Sequence, residues 1–519
     1  MIMRDYTYDG EGVNAEGLVD QVPLVIVEGF FGSPSAALWG DFEHHHRGDD
    51  VSESREIIYA TISPVGSLHD RACELYHLLK GGVVDYGEDH SVGHNHARYG
   101  RDYGTGMYPQ WSREKPLHFL GHSLGGATIT KLQWLLKTGF FGKTEHPDQV
   151  LSLTTVSTPF RGSPIVYLLG HSTSGGPGLQ TFSFGWALAK SIHIANYLKP
   201  LLPFSYDLFT ETRPMSFLET SFNTFIRRLW HSDWTEGRDI AYFDTTFEAV
   251  DEREAQLEGE TNPNTFYRSY SASMTRRRRD DAEAGFHQPS KNQMTHSPHL
   301  FWLSSSMGCF DFSKLGVAPS FLPRMEGAIA RKNEDVDDEF NLAADEDDHP
   351  HEAFYANDGV VPVFSQWHPF ECKRTRCKHY GRSRCCEFDN QFPVNSSSNG
   401  DLQYCSQEEL RPGMWHVYHL DDTNHHDIVP IWTGSSRQKV FWKELGQWLR
   451  GVDATRASST SDLKVSQTAR LRTRHEANTI LATTASMDFD QPSTQFEETK
   501  PSSRSLGHLV GRLWNSLLW

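Results

Sequence analysis

The sequence predicts an α/β fold on a central, mostly parallel sheet, and three observations predict it. Short apolar, β-branched runs recur at 23–27, 117–120 and 150–156. Each ends in a Gly, Ser or Pro loop. Between the second and third lies 127–136, with helical length and apolar spacing, so strand, helix and strand follow one another as crossover units do.

In order, Pro23-Leu24-Val25-Ile26-Val27 reads as a buried strand ending in the tight loop Gly29-Phe30-Phe31-Gly32. Leu117-His118-Phe119-Leu120 repeats that logic into Gly121, and Val150–Val156 is closed by Ser157-Thr158-Pro159. Residues 164–230, rich in Phe, Leu and Tyr, suit a helical cap over a pocket. Residues 245–300 and 325–350 are polar and charged; the Arg276–Arg279 run and the acidic Glu334–Asp348 stretch read as solvated loops. This divides the chain into an N-terminal extension (1–20), a main domain (21–450), a flexible Ser/Thr/Arg-rich tail (451–504) and a terminal segment (505–519). In that segment Leu506, Leu509, Val510, Leu513, Trp514, Leu517 and Leu518 share one helical face, suited equally to a membrane or lipid-droplet surface and to docking on the protein's own domain.

Of the 519 residues, 37% are apolar, with 14 Trp and 31 Phe, enough for a sizeable core. A formal charge of −18 argues against nucleic acid as a partner. No secretory h-region and no run of about 18 apolar residues is present, so a soluble, cytoplasmic protein is expected. Five of seven cysteines (Cys372, Cys377, Cys385, Cys386, Cys405) crowd an insertion over about 370–406. Their spacing lacks a paired C-x-x-C, which favours thiols on a surface loop over a metal site or a disulfide.

Gly121-His122-Ser123-Leu124-Gly125 matches G-x-S-x-G between a strand and a helix, the sharp turn that presents a serine nucleophile in α/β-hydrolases. A serine hydroxyl needs an imidazole to take its proton and a carboxylate to orient that imidazole, in the chain order Ser, acid, His. Asp358 of Asn357-Asp358-Gly359 and His425 of Asn424-His425-His426-Asp427 supply them in that order, with His426 an alternative base. Backbone N–H groups of Leu124 and Phe30 are the candidate oxyanion-hole donors.

The chain resembles the bacterial true lipases of the thermophilic Bacillus/Geobacillus type, related to the staphylococcal lipases. The resemblance rests on 70–74, 81–87, 94–100, Gly121–Gly126, Ser157–Pro159, Asn357–Gly359 and Asn424–Asp427. It implies an α/β-hydrolase fold with a lid over about 164–210, and Ser123, Asp358 and His425 as a triad hydrolysing lipid esters. It also implies a structural zinc on Asp70, His90, His96 and Asp244, pinning an inserted subdomain (about 66–100 with 231–300). Glu28 stands where the family has His, and Trp432 replaces an acidic calcium ligand, leaving only Asp427 and arguing against Ca2+. The expected function is therefore a triacylglycerol lipase. Carboxylesterase, phospholipase or acyltransferase are alternatives with the same triad, and the ordered Ser, Asp and His oppose an inactive lipid-binding scaffold.

Overall fold

The structure, a computed structural model, describes residues 21–32, 36–39, 42, 55–201, 207–232, 234–278, 286–321, 352–381, 410–429 and 431–458. The chain divides into two units, 1–457 and 458–519. The extension at 1–20, the acidic stretch at 334–348, Arg279, Cys385, Cys386, Cys405 and the 505–519 face lie outside the described residues.

Seven strands form the main sheet: β1 (Leu24–Val27), β2 (Ile57–Tyr59), β3 (Leu117–His122), β4 (Val150–Val156), β5 (Phe266–Ser273), β6 (Cys377–Tyr380) and β7 (Trp415–Asp421). Their order is β6-β7-β5-β4-β3-β1-β2, and every neighbouring pair is parallel. A parallel sheet needs cover on both faces, and β1 shows why its sequence is apolar throughout. Val25 and Val27 face one core with Ala72, Leu75 and Leu79 of α1 (Leu68–Lys80) and Ile129, Leu132 and Leu136 of α2 (Leu124–Thr138). Leu24 and Ile26 face the other, among Trp39, Phe42, Trp442, Leu445 and Trp448.

Two sequence expectations change here. Phe266–Ser273, expected inside a polar insertion, is the fully buried central strand β5. Its buried Arg268 is hydrogen-bonded by Tyr: the guanidinium donates to the hydroxyls of Tyr270 (3.1 Å) and Tyr418 (2.9 Å). Residues 451–457, expected to begin a tail, continue the helix that starts at 436, because Val452 is buried and Asp453 ion-pairs with Arg55 at 2.8 Å.

From β1 the chain crosses to β2 on one side and returns to β3 on the other. Such a reversal opens a crevice at the carboxyl ends of the strands, where parallel α/β sheets bind ligands. The loop after β1 and the turn after β3 both border it. Beyond the sheet, α3 (Phe184–Leu198) and α4 (Phe222–Trp230) pack together through Tyr197 stacked on Phe225 at 4.0 Å.

Candidate active site

β3 turns into α2 at Ser123, which holds φ 52° and ψ −128°. A serine in that region is strained by about 1–3 kcal/mol, and the surroundings must hold it there. Its N–H donates to Val156 O at the end of β4 (2.9 Å). A Cβ on Gly125 would fall 2.0 Å from Val27 O, so only glycine lets α2 start this close to β1. One on Gly29 would fall 2.6 Å from Ser123 Cβ and 3.0 Å from Leu124 N. The post-β1 loop thus lies directly against the nucleophile turn. In that loop the N–H groups of Gly29, Phe31 and Gly32 donate to Glu28 Oε2, Pro64 O and Gly29 O. Phe30 is the residue between them, which keeps its N–H, with that of Leu124, as the candidate pair of donors.

Asp358 and His425 come together across 67 residues: His425 Nδ1 lies 2.8 Å from Asp358 Oδ2, both side chains buried. The carboxylate is fixed by its own turn, since Oδ1 accepts from Val360 N (2.9 Å) and Val361 N (2.7 Å). His425 N also donates to Asp358 O (3.0 Å), so the two loops are tied by backbone as well. With Nδ1 on the acid, Nε2 is the nitrogen available for proton transfer. His426 makes no such bond to Asp358; burial, and then His425 and His122 beside it, push its pKa down to about 3. Asp427 accepts from Asn424 N (2.7 Å) and Asn424 Nδ2 (2.9 Å), bracing this loop.

Sequence reasoning noted Glu28 but missed its partner. His122, the first x of G-x-S-x-G, places Nδ1 3.1 Å from Glu28 Oε2 and Nε2 3.1 Å from His425 O. Burial disfavours charge on His122, but the Glu28 carboxylate overrides it and raises its pKa. The Glu28–His122 contact thus adjoins the Ser123 turn, and His122 touches the backbone of His425.

A separate cluster gathers Asp70, His90, His96 and Asp239, each offering one ligand atom, all within 4.8 Å of one another. Asp70 is in the first turn of α1; His90 and His96 lie between the hairpin strands Val83–Asp85 and Tyr99–Asp102. His90 Nε2 is 3.1 Å from Asp70 Oδ1 and 3.2 Å from Asp239 Oδ1. His96 donates through Nδ1 to Ala97 O (2.8 Å), while its buried Nε2 has no hydrogen-bond partner. Burial works against charge on His90, but Asp239 and Asp70 override it and raise its pKa to about 9. Two buried carboxylates, two imidazoles and an orphaned His96 nitrogen gathered at one point fit a cation, and these four side chains can hold a metal ion.

The fourth member corrects the expected Asp244. Asp244 Oδ2 instead accepts from Leu68 N (2.6 Å) at the start of α1, and Oδ1 faces Arg253. Burial pushes its pKa up to about 6. It serves a helix N-terminus, whose orphan N–H groups attract a carboxylate.

The expected cap region carries large exposed apolar side chains: Phe182, Phe184, Ile194, Leu198 and Leu201, and, beyond the expected boundary at 210, Leu218, Phe222, Ile226 and Trp230. Among the described residues no helix is long and apolar enough to cross a membrane. Arg276 of the basic run pairs with Asp422 on the surface.

Comparison with known proteins agrees with this architecture. The family model described as lipase-like, C-terminal domain matches residues 20–175. The lipase of Staphylococcus hyicus is 26% identical over 385 residues, 68% of this chain and 54% of that protein. Lipase 1 of Staphylococcus aureus (strain NCTC 8325 / PS 47) is 30% identical over 281 residues, 49% of this chain and 39% of that protein. The chain spans about half the length of the curated relatives it matches, or less. The crystal structure of Staphylococcus hyicus lipase matches with a TM-score of 0.57 at 20% identity, covering 87% of this chain and 99% of that one. The staphylococcal lipases are thus homologues of this chain, whose fold is the α/β-hydrolase fold.

Proposed function

We propose that this protein is a lipase, a serine hydrolase that cleaves carboxylic esters of lipids, triacylglycerols in the first place. The observation that carries the reading is the buried Asp358–His425 hydrogen bond at the same sheet edge as the strained Ser123 turn. Ser123 Oγ attacks the ester carbonyl as His425 Nε2 takes its proton, and Asp358 holds the Nδ1–H tautomer and stabilises the imidazolium. The N–H groups of Leu124 and Phe30 receive the developing oxyanion. His425 then protonates the leaving alcohol, and water, deprotonated by the same imidazole, releases the acid from the acyl-enzyme.

Two features favour a lipid over a small soluble ester. Exposed apolar side chains cluster on 182–230, a composition that suits a lid and contact with acyl chains. Homology to proteins named lipase points the same way. The metal at Asp70, His90, His96 and Asp239 is read as zinc: mixed nitrogen and oxygen ligands in a closed set of four suit a structural ion, which would join α1 to the 83–102 hairpin and the 239 loop.

The test is hydrolysis of p-nitrophenyl esters of increasing chain length by wild type and Ser123→Ala. Long-chain turnover that the substitution abolishes, with thermal unfolding unchanged, is the expected result. Ester turnover that survives Ser123→Ala would sink the assignment.

A further inference from the structure

A second convergence of ligating atoms lies at β6, the last strand in the order of the main sheet. His368, Cys372, Cys377 and His379 each bring one nitrogen or sulfur to within 4.8 Å of the others. We propose that these four side chains form a second, structural zinc site, of the two-Cys, two-His kind, fastening edge strand β6 to the segment that precedes it.

Backbone geometry assembles the set. Cys377 and His379 are two apart on β6, so the strand period puts both on one face. Arg374 N and Thr375 N donate to Glu371 O (2.9 and 3.0 Å), a turn that folds Cys372 back toward the strand. His368, buried, follows the short helix Val363–Gln366.

Distances then separate a metal site from a thiol hydrogen bond. Cys372 Sγ lies 3.6 Å from Nε2 of both His368 and His379. A thiol can donate its one proton to a single imidazole and accepts only weakly from a second. Zinc, with Zn–S about 2.3 Å and Zn–N about 2.0 Å at a tetrahedral angle, holds sulfur and nitrogen about 3.5 Å apart on both sides at once. Each imidazole is also oriented from behind. His368 Nδ1 is 2.7 Å from Phe370 O, and His379 Nδ1 is 2.9 Å from His419 Nε2 on β7, so both Nε2 atoms point at the cluster as second-sphere bonds to metal-bound histidines require. Two soft sulfurs with two imidazoles select zinc over calcium or magnesium. The location gives the site a use: β6 has four residues and, among the described residues, one neighbouring strand, and a strand this short gains its order from what anchors it.

The experiment uses the full chain, purified under reducing conditions, with zinc counted by mass spectrometry and Co(II) exchanged for it as a spectroscopic probe. The cobalt protein is expected to carry a thiolate-to-metal charge-transfer band in the near ultraviolet, which Asp and His ligands cannot give. Cys372→Ser/Cys377→Ser should abolish that band and lower zinc by one ion per chain; Cys385→Ser/Cys386→Ser/Cys405→Ser and Asp239→Asn should leave the band intact. Cys372→Ser alone, the milder change, should remove about half of the band's intensity, one of two sulfurs, with circular dichroism unchanged. Absence of the band in the wild-type cobalt protein, or its loss in the 385/386/405 variant with retention in Cys372→Ser/Cys377→Ser, would overturn the proposal.

Discussion

At positions 425 and 426 two histidines stand side by side in the chain, and only their surroundings give them different chemistry. His425 faces Asp358 and the nucleophile turn; His426 is held neutral by burial and by the two histidines beside it. His425→Ala is expected to lower kcat/KM by about 10²–10⁴-fold, the usual contribution of a general base, while His426→Ala stays within about tenfold of wild type. Equal losses in the two variants, measured on one soluble ester, would remove the distinction. The proposed nucleophile and its partners could be picked out in the sequence because glycines flank Ser123, because Asp358 and His425 follow it in the order Ser, acid, His, and because the resemblance to the lipases favours His425 over His426. The Glu28–His122 pair was not, because it joins residues 94 apart through strand pairing rather than through any local signature.

At the scale of elements, the strands that sequence found are those with apolar runs, β1, β3 and β4; β2, β6 and β7 were not read as strands, and β5 was placed in a polar insertion because its Arg268 finds partners only in the folded chain, Tyr270 on β5 itself and Tyr418 on β7. The same limit moved the metal ligand from Asp244 to Asp239. Matching Ala241-Tyr242-Phe243-Asp244 as a motif ignored the start of α1, whose Leu68 N–H takes the Asp244 carboxylate. The two acids therefore separate cleanly by experiment. Asp239→Asn should lower bound metal by one ion per chain. Asp244→Asn should leave metal content unchanged and lower unfolding stability by about 1 kcal/mol, the usual size of a lost charge at a helix N-terminus. Metal analysis beside urea unfolding reads both, and loss of metal in Asp244→Asn would restore Asp244 as the ligand. The Cys-rich segment taught a related lesson: no C-x-x-C is present, yet β6 folds Cys377 and His379 back onto Cys372 and His368.

Across the whole molecule, the C-terminal helix is held to the sheet by a buried charge set that sequence read as the start of a tail. Asp453 pairs with Arg55 (2.8 Å) and His118 (3.0 Å), and breaking it with Asp453→Ala should cost about 3–5 kcal/mol in chemical unfolding, because Arg55 is left buried without its counter-ion. Histidines set the response to acid. Burial first, with neighbouring cations adding at three of the four, lowers the pKa of His69 and His426 to about 3 and of His171 and His193 to about 4. In the folded chain these rings stay neutral where the unfolded chain, with histidine near pH 6.5, binds protons. Stability therefore falls as pH drops below about 6.5, by up to about 1.4 kcal/mol per pH unit for each ring. His122 is shifted the other way. Its contribution is fully present below about pH 6.5 and is lost as pH rises from there through its folded value, so it adds no compensating slope on the acid side. Asp453, held low by His118 and Arg55 against the effect of burial, adds its own loss only as pH falls below about 4, the range of an unfolded aspartate. Urea midpoints measured from pH 8 to pH 4 should therefore fall steeply below about 6.5. A level profile down to pH 5 would mean that these histidines reach water in the folded protein.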